Sequence, residues 1–354
     1  MNNPQHAGLD VPEEEDDEFV DADLVIAPPN FIVAAGTDDS SDGDSALGED
    51  EGSLTQSLRA SLLESVIENG RGYHRYTGLS GSQYMLPEDE REQDRSDLQH
   101  ETFLYTFRNK LYQSPIGKDI RRALDLGTGT GIWAIDFADE HPDCQVLGTD
   151  LSPIQPVFVP PNCRFEIDDM DEDWSFVEKF DFIHGRALLG CSKNFPAVIR
   201  QAYENLNPGG WLEMTDVQMP FLADDGTMDG TALQEWNDRQ LEACSHVNLD
   251  TTAPSKYKQW MIDQGFEHVT ELQFKWPVGT WPKDKWYKKL GSMTKVNFLA
   301  GLEGFTLRLW INILGWSREE TLVFLSTVRR DIANPKIHSY WPMYCVYGRK
   351  PLDA

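Results

Sequence analysis

Residues 121–150, RRALDLGTGTGIWAIDFADEHPDCQVLGTD, decide the fold. A short apolar run, Ala123-Leu124, ends on Asp125 and gives way to the turn Gly127-Thr128-Gly129-Thr130-Gly131. Ile132, Trp133, Ile135, Phe137 and Ala138 follow at helical spacing, and a second short apolar run over 146–148 closes on Asp150. This order predicts strand, tight turn, helix and strand, the opening half of a doubly wound α/β fold. Glycine lets backbone approach a ligand where a Cβ would clash, and the helix start behind it offers free N–H groups. Asp150, at the end of the second strand, is placed to accept from ribose hydroxyls. The unit reads as a site for an adenosine-containing cofactor.

The glycine spacing selects among such cofactors. A dinucleotide fingerprint G-x-G-x-x-G starting at Gly127 needs its third glycine where Ile132 stands, which disfavours a nicotinamide oxidoreductase. Asp125-Leu126-Gly127-Thr128-Gly129-Thr130-Gly131 is G-x-G-x-G with an acid two places before the first glycine. It resembles the first motif of class I S-adenosylmethionine-dependent methyltransferases. That ligand has no pyrophosphate to cradle but carries a charged amino-acid end, which a carboxylate near Asp125 helps to orient. Asp169-Met170 follows the third strand, where a carboxylate can accept from an adenine amino group and a backbone N–H can meet the ring; Asp168 beside it is the weaker choice. The candidate cofactor residues are Tyr73, Asp125, Gly127, Gly129, Gly131, Asp150, Leu151, Asp169, Met170 and His184.

Composition narrows the setting. The chain has 354 residues, 40% hydrophobic, with eleven Trp, enough for a substantial core. Its formal charge of −28 is uneven: the first 51 residues carry sixteen Asp and Glu and no Lys or Arg. That balance argues against general affinity for nucleic acid or anionic membrane. Five scattered cysteines without a C-x-x-C pair argue against a disulfide framework or a metal site, and favour a reducing compartment. No signal peptide is visible, and the apolar stretch 297–316 is broken by Glu303 and Arg308. The expectation is an intracellular protein of the cytoplasm or nucleus.

Residues 1–52 read as a disordered acidic tail, with the run 13–18 a solvating segment or a dock for a basic partner. Residues 53–120 read as an N-terminal helical segment folded over the cofactor site. It opens on the capping box Ser53-Leu54-Thr55-Gln56, with Leu54, Leu58 and Leu62 on one helix face stopped at Asn69-Gly70. Tyr73 and Tyr76 stand in a loop after it, and a charged helix spans 88–105. Residues 121–354 read as the main α/β domain. Further strands are expected at 164–167, 180–184, 211–217 (after the turn 207–210), 268–274 and 344–348, with helices at 194–206, 233–244 and 257–264. The last strand is expected to insert antiparallel into an otherwise parallel sheet. Before it, 275–339 is too long for a hairpin and reads as an acceptor-side helical insertion. Nine of the eleven Trp lie beyond residue 200, as plain core or as lining for a flat, apolar acceptor. The lysines of the insertion read most simply as a solvated face, with a local basic patch for an acidic partner as the alternative.

Methyl transfer is an in-line displacement governed by positioning and water exclusion, with a base needed only for a protonated acceptor. Catalytic residues are therefore less legible than cofactor residues; the base candidates are His184, His100, Glu213 and His338, and Arg186 lies at the same sheet edge. Wider segments carry a family resemblance: YHRY at 73–76, EDEREQDRSDLQHETF, GTDLSPIQP, DDMDEDWSF, DFIHGRALLG, NPGGWLEM, GTWPKDKW and IHSYWPMYCVYGRKP. Over roughly residues 60–352 they resemble the fungal LaeA-like methyltransferases, the family of the velvet-complex regulator of secondary metabolism. The resemblance implies a class I, Rossmann-like fold: a seven-stranded, mostly parallel sheet with helices on both faces and S-adenosylmethionine as cofactor. It leaves two functions open. One is a methyltransferase acting on a small metabolite or protein; the other is a regulatory binding module of a velvet-type nuclear complex.

Overall fold

A computed structural model describes residues 65–74 and 84–354. The expected acidic tail, the helix begun at Ser53 and the loop residue Tyr76 lie outside the described residues. The first described elements correct an expectation. Asn69-Gly70 does not stop a helix but turns a hairpin between β1 (Val66–Glu68) and β2 (Arg71–Tyr73). Both turn residues have positive φ, 55° and 82°, the conformation that Asn-Gly supplies in tight hairpins. Asp89 fastens this hairpin to helix α1 (Glu90–Thr106): its carboxylate accepts from Arg71 Nε at 2.7 Å, from the Gly72 N–H and from the Glu92 N–H as N-cap.

The α/β domain then runs β3 (Arg122–Leu126), α2 (Ile132–Glu140), β4 (Gln145–Asp150), β5 (Cys163–Ile167), β6 (Phe180–Arg186), α3 (Phe195–Asn205) and β7 (Leu206–Val217). It continues through α4 (Ala232–His246), α5 (Tyr257–Gln264), β8 (Glu267–Pro277), α6 (Lys285–Asn312), α7 (Arg318–Ala333) and β9 (Tyr340–Arg349). Seven strands make one sheet in the order β5-β4-β3-β6-β7-β9-β8. The pairs among β3 to β7 are parallel, and β9 lies antiparallel between β7 and β8, as expected for its place in the chain. Strand order reverses between β3 and β6, the switch point where open α/β sheets leave a crevice at their carboxyl ends.

The pleat explains the two layers. Ala123 and Phe182 pack with Trp133 and Phe137 of α2 on one face. Their neighbours Leu124 and Ile183 pack with Val198, Ile199 and Ala202 of α3 and Tyr257 and Met261 of α5. Asp125 and His184 share parity with Ala123 and Phe182, so both stand on the α2 side. One turn is displaced relative to expectation. Residues 207–210 lie within β7, where Leu206 pairs Phe180 but Trp211 pairs Phe182, so the extra residues are absorbed as a bulge with Gly209 at φ 82°.

The insertion is helical, made by α6 and α7. With α1, α4 and the ends of β7 and β9 it builds a third core containing Phe103, Trp236, Trp276, Phe298, Trp310 and Trp341. Most of the tryptophan concentration is therefore core, although Trp236 and Trp341 also border a cavity.

Candidate active site

A cavity opens at the carboxyl ends of β3, β4 and β6, lined on the sheet side by Asp125, Gly127, Gly129, Asp150, Leu151, Asp169, Met170 and His184, all anticipated above. Glu92, Arg95, Gln99, His100 and Phe103 of α1 line its other side. Two anticipated residues stand elsewhere. Tyr73 is buried away from the cavity beneath the Arg308 guanidinium, 4.1 Å from its ring centre. Gly131 is the N-cap of α2 at φ 81°, where an added Cβ would meet Phe165 at 2.5 Å; it closes the turn rather than lining the cavity.

The turn is held by carboxylates. Asp150 accepts the Gly129 N–H at 2.7 Å through one oxygen and the Ser152 N–H at 2.9 Å through the other. Burial pushes its carboxyl up to about 6, against these hydrogen bonds. Asp125 is engaged on both sides, by the Thr128 hydroxyl at 2.6 Å and by His184 Nδ1 at 2.7 Å. The His184 ring lies flat on Trp133, centroids 3.7 Å apart. Asp125 thus shapes the glycine turn and orients an imidazole. Asp168 and Asp169 both line the cavity and are raised by burial; one accepts the Asp169 N–H, the other the Asp171 N–H. The structure keeps both as candidates.

A second polar chain crosses the cavity. Arg186 donates from Nη2 to His100 Nδ1 at 2.8 Å, and His100 Nε2 lies 3.0 Å from Asp136. Because a guanidinium only donates, Nδ1 is an unprotonated acceptor, already occupied. Arg186 sits over Phe103 at 4.8 Å, and burial lowers its side chain to about 10. The remaining base candidates are structural. Glu213, fully buried, accepts the N–H groups of Gln113 and Ser114 and the Ser114 hydroxyl at 2.6 Å. His338 is bonded to Asp225 at 2.6 Å and borders neither this cavity nor the next.

S-adenosylmethionine fits the groups present. Gly129 has nothing within 4 Å of an added Cβ, and Arg186 Nη1 and His184 Nε2 are buried without hydrogen-bond partners in the cavity wall. The carboxylate of the cofactor's amino-acid end would suit the first of these, and the oxygens of Asp150 and of Asp168 or Asp169 would suit ribose hydroxyls and an adenine amine. Sequence reasoning missed Ser152, which donates to Glu88 at 2.7 Å, and Asp97, which accepts from Thr130 at 2.7 Å. Asp97 stands on α1, which only tertiary packing brings to the turn, so spacing carries no signal for it. Among the described residues no cluster of ligating side chains suits a metal ion, and no helix is long and apolar enough to cross a membrane.

A second, more apolar cavity adjoins the first and shares Leu86, Arg95, Gln99 and Ala187 with it. Its wall includes Val217, Met219, Trp236, Leu309 and Trp341.

Comparison with known proteins agrees with this geometry. Residues 98–271 match the family described as methyltransferase domain. The chain is 36% identical over 326 residues to "Methyltransferase pytC" of Aspergillus terreus, covering 92% of this chain and 97% of that one. It is 33% identical to "Secondary metabolism regulator LAE1" of Cochliobolus heterostrophus, covering 81% and 95%. It is 32% identical to "Protein-methionine methyltransferase laeA" of Emericella nidulans, covering 80% and 76%. The chain belongs to the LaeA-like family of fungal S-adenosylmethionine-dependent methyltransferases of secondary metabolism.

Proposed function

We propose that this methyltransferase acts on a small, largely apolar metabolite received in the second cavity. The observation that carries the reading is that this apolar cavity meets the cofactor cavity along four shared residues, Leu86, Arg95, Gln99 and Ala187. Asp150 would hold the ribose hydroxyls, Asp169 or Asp168 with Met170 the adenine, and Arg186 the amino-acid carboxylate. When bound, S-adenosylmethionine supplies an electrophilic methyl group on a sulfonium. The chain's own share of the work is positioning and dryness: Gly129 admits close approach, Asp125 fixes His184 against Trp133, and α1 excludes water.

A protein acceptor is the competing reading, favoured by the name of the laeA relative. A velvet-type partner, in the nucleus or the cytoplasm, belongs with it. The regulatory-module reading is not favoured, since the first relatives named as methyltransferases match over nearly the whole chain.

The test is calorimetric titration with S-adenosylmethionine and, separately, NAD, followed by labelled-methyl transfer into extract fractions. The reading requires saturable binding of the first alone, and label in the small-molecule fraction. Label confined to protein would overturn the metabolite assignment.

A further inference from the structure

The second cavity contains one group that neither the glycine motif nor the base candidates anticipated. Asp216, near the end of β7, is 1% exposed yet lines this otherwise mainly apolar wall. Its Oδ1 accepts the Val217 N–H at 2.8 Å; its Oδ2 is buried and makes no hydrogen bond of ordinary geometry, although the backbone N–H groups of Leu188 and Leu189 lie close enough to favour the anion. A bare carboxyl oxygen in an apolar cavity is costly, and a site retaining one is set to meet a donor on its ligand. Asp250, the other carboxylate on this wall, is already engaged by Lys256 at 2.7 Å; Glu92, which also keeps one buried oxygen without a hydrogen bond, lines the first cavity and is paired with Arg95 at 2.7 Å through its other oxygen.

We propose that Asp216 is the catalytic residue that receives the proton of the methyl acceptor, and that the acceptor atom is an N–H or O–H on an apolar small molecule. The inference rests on the methyltransferase reading above and deepens it. A lone pair on the acceptor nitrogen or oxygen forms the new bond to the methyl carbon. The carbon–sulfur bond breaks with its electron pair going to sulfur, which becomes a neutral thioether. The acceptor's N–H or O–H bond gives its proton to Asp216 Oδ2, so charge balances without a further reactant. A thioether acceptor such as a methionine side chain has no such proton and gives Oδ2 nothing to bond.

Burial pushes the Asp216 carboxyl up to about 8, so proton acceptance is pH-dependent. The titratable groups facing it are the Cys191 thiol and the Tyr257 phenol, both raised by burial, with Arg95, Cys244 and Asp250 elsewhere on the cavity wall. Arg95 is the cation on this wall, but it is bound to Glu92 and Gln99 and makes no hydrogen bond to Oδ2.

The experiment measures binding of 2-naphthol and of 2-methoxynaphthalene, its analogue without a donor, to protein saturated with S-adenosylhomocysteine. The wild type should prefer 2-naphthol, and the preference should grow to about tenfold as the pH rises from about 6.5 to about 8.5 and the carboxylate forms. Asp216→Asn, isosteric with the protonated acid, should still bind S-adenosylhomocysteine but show no pH-dependent preference. It should also transfer labelled methyl to the natural small-molecule fraction about 100-fold more slowly. Equal affinities in the wild type, binding of neither probe, or an unchanged pH-dependent preference in Asp216→Asn would overturn the proposal. Failure of wild-type protein to bind S-adenosylhomocysteine would overturn the methyltransferase reading instead.

Discussion

Asp125 and His184 face each other across neighbouring parallel strands, in register, with Nδ1 2.7 Å from a carboxylate oxygen and both side chains buried. The same carboxylate holds the Thr128 hydroxyl, so one residue ties the glycine turn to the fourth strand of the α/β domain. Asp125→Ala would strand two buried polar groups at once. We expect a loss of about 2–4 kcal/mol in unfolding stability, read from the urea midpoint, against about 1 kcal/mol for Thr128→Ala.

Two glycines of the same turn should fail in opposite ways. Gly129 has φ 57° and open space for a Cβ, whereas Gly131 has φ 81° and Phe165 only 2.5 Å from where a Cβ would stand. Gly129→Ala should cost about 1 kcal/mol of backbone strain but sharply weaken cofactor binding, because its methyl enters the cavity. Gly131→Ala should add an overpacking cost of about 1–3 kcal/mol. Paired thermal melts and calorimetry separate them; equal effects of both on affinity would contradict the assignment.

Asp150 anchors Gly129 and Ser152 through its anionic form, while burial holds its carboxyl near 6. Donor affinity should therefore decline as pH falls through about 6, and Asp150→Asn should lower it about tenfold or more with a flattened pH profile. Calorimetry across that window is the check; a profile indifferent to pH would count against the role.

The buried Asp216 carboxyl also makes folding stability depend on pH. With the folded-state carboxyl near 8 and the unfolded one near 4, the folded chain binds more protons between those values. Wild-type stability should fall as pH rises through that window and level off above it. Asp216→Asn removes the ionisation, so its advantage in Tm should be greatest above about pH 8 and vanish near pH 4. An advantage constant with pH would mean that the buried carboxyl does not titrate there.

Glu213 offers a contrast, since its carboxylate is saturated by Gln113 and Ser114. Glu213→Ala should cost about 3 kcal/mol through three stranded donors while leaving the affinity of folded protein for S-adenosylmethionine unchanged. A change in affinity without a change in stability would reverse that assignment.

The sequence by itself determined the strands of the seven-stranded sheet, the glycine turn and the acidic strand ends, because each is a local pattern. Apolar runs set the strands, and only glycine fits the positive φ values of the turn. Asp125, Asp150 and Asp169 could be placed at the site because a strand's carboxyl end is a fixed location in this topology. What the tertiary structure decided depends on residues far apart in the chain. Tyr73 sits under Arg308, Glu213 is claimed by Ser114, and His100 is occupied by Arg186, none of which spacing encodes. Asp216 is the sharpest case. In sequence it is one acid among many, and only the packing of β7, α4 and α6 around it removes water and leaves one oxygen unsatisfied. Burial is a property of the whole fold, and here it separates a carboxylate that holds structure from one set to do chemistry.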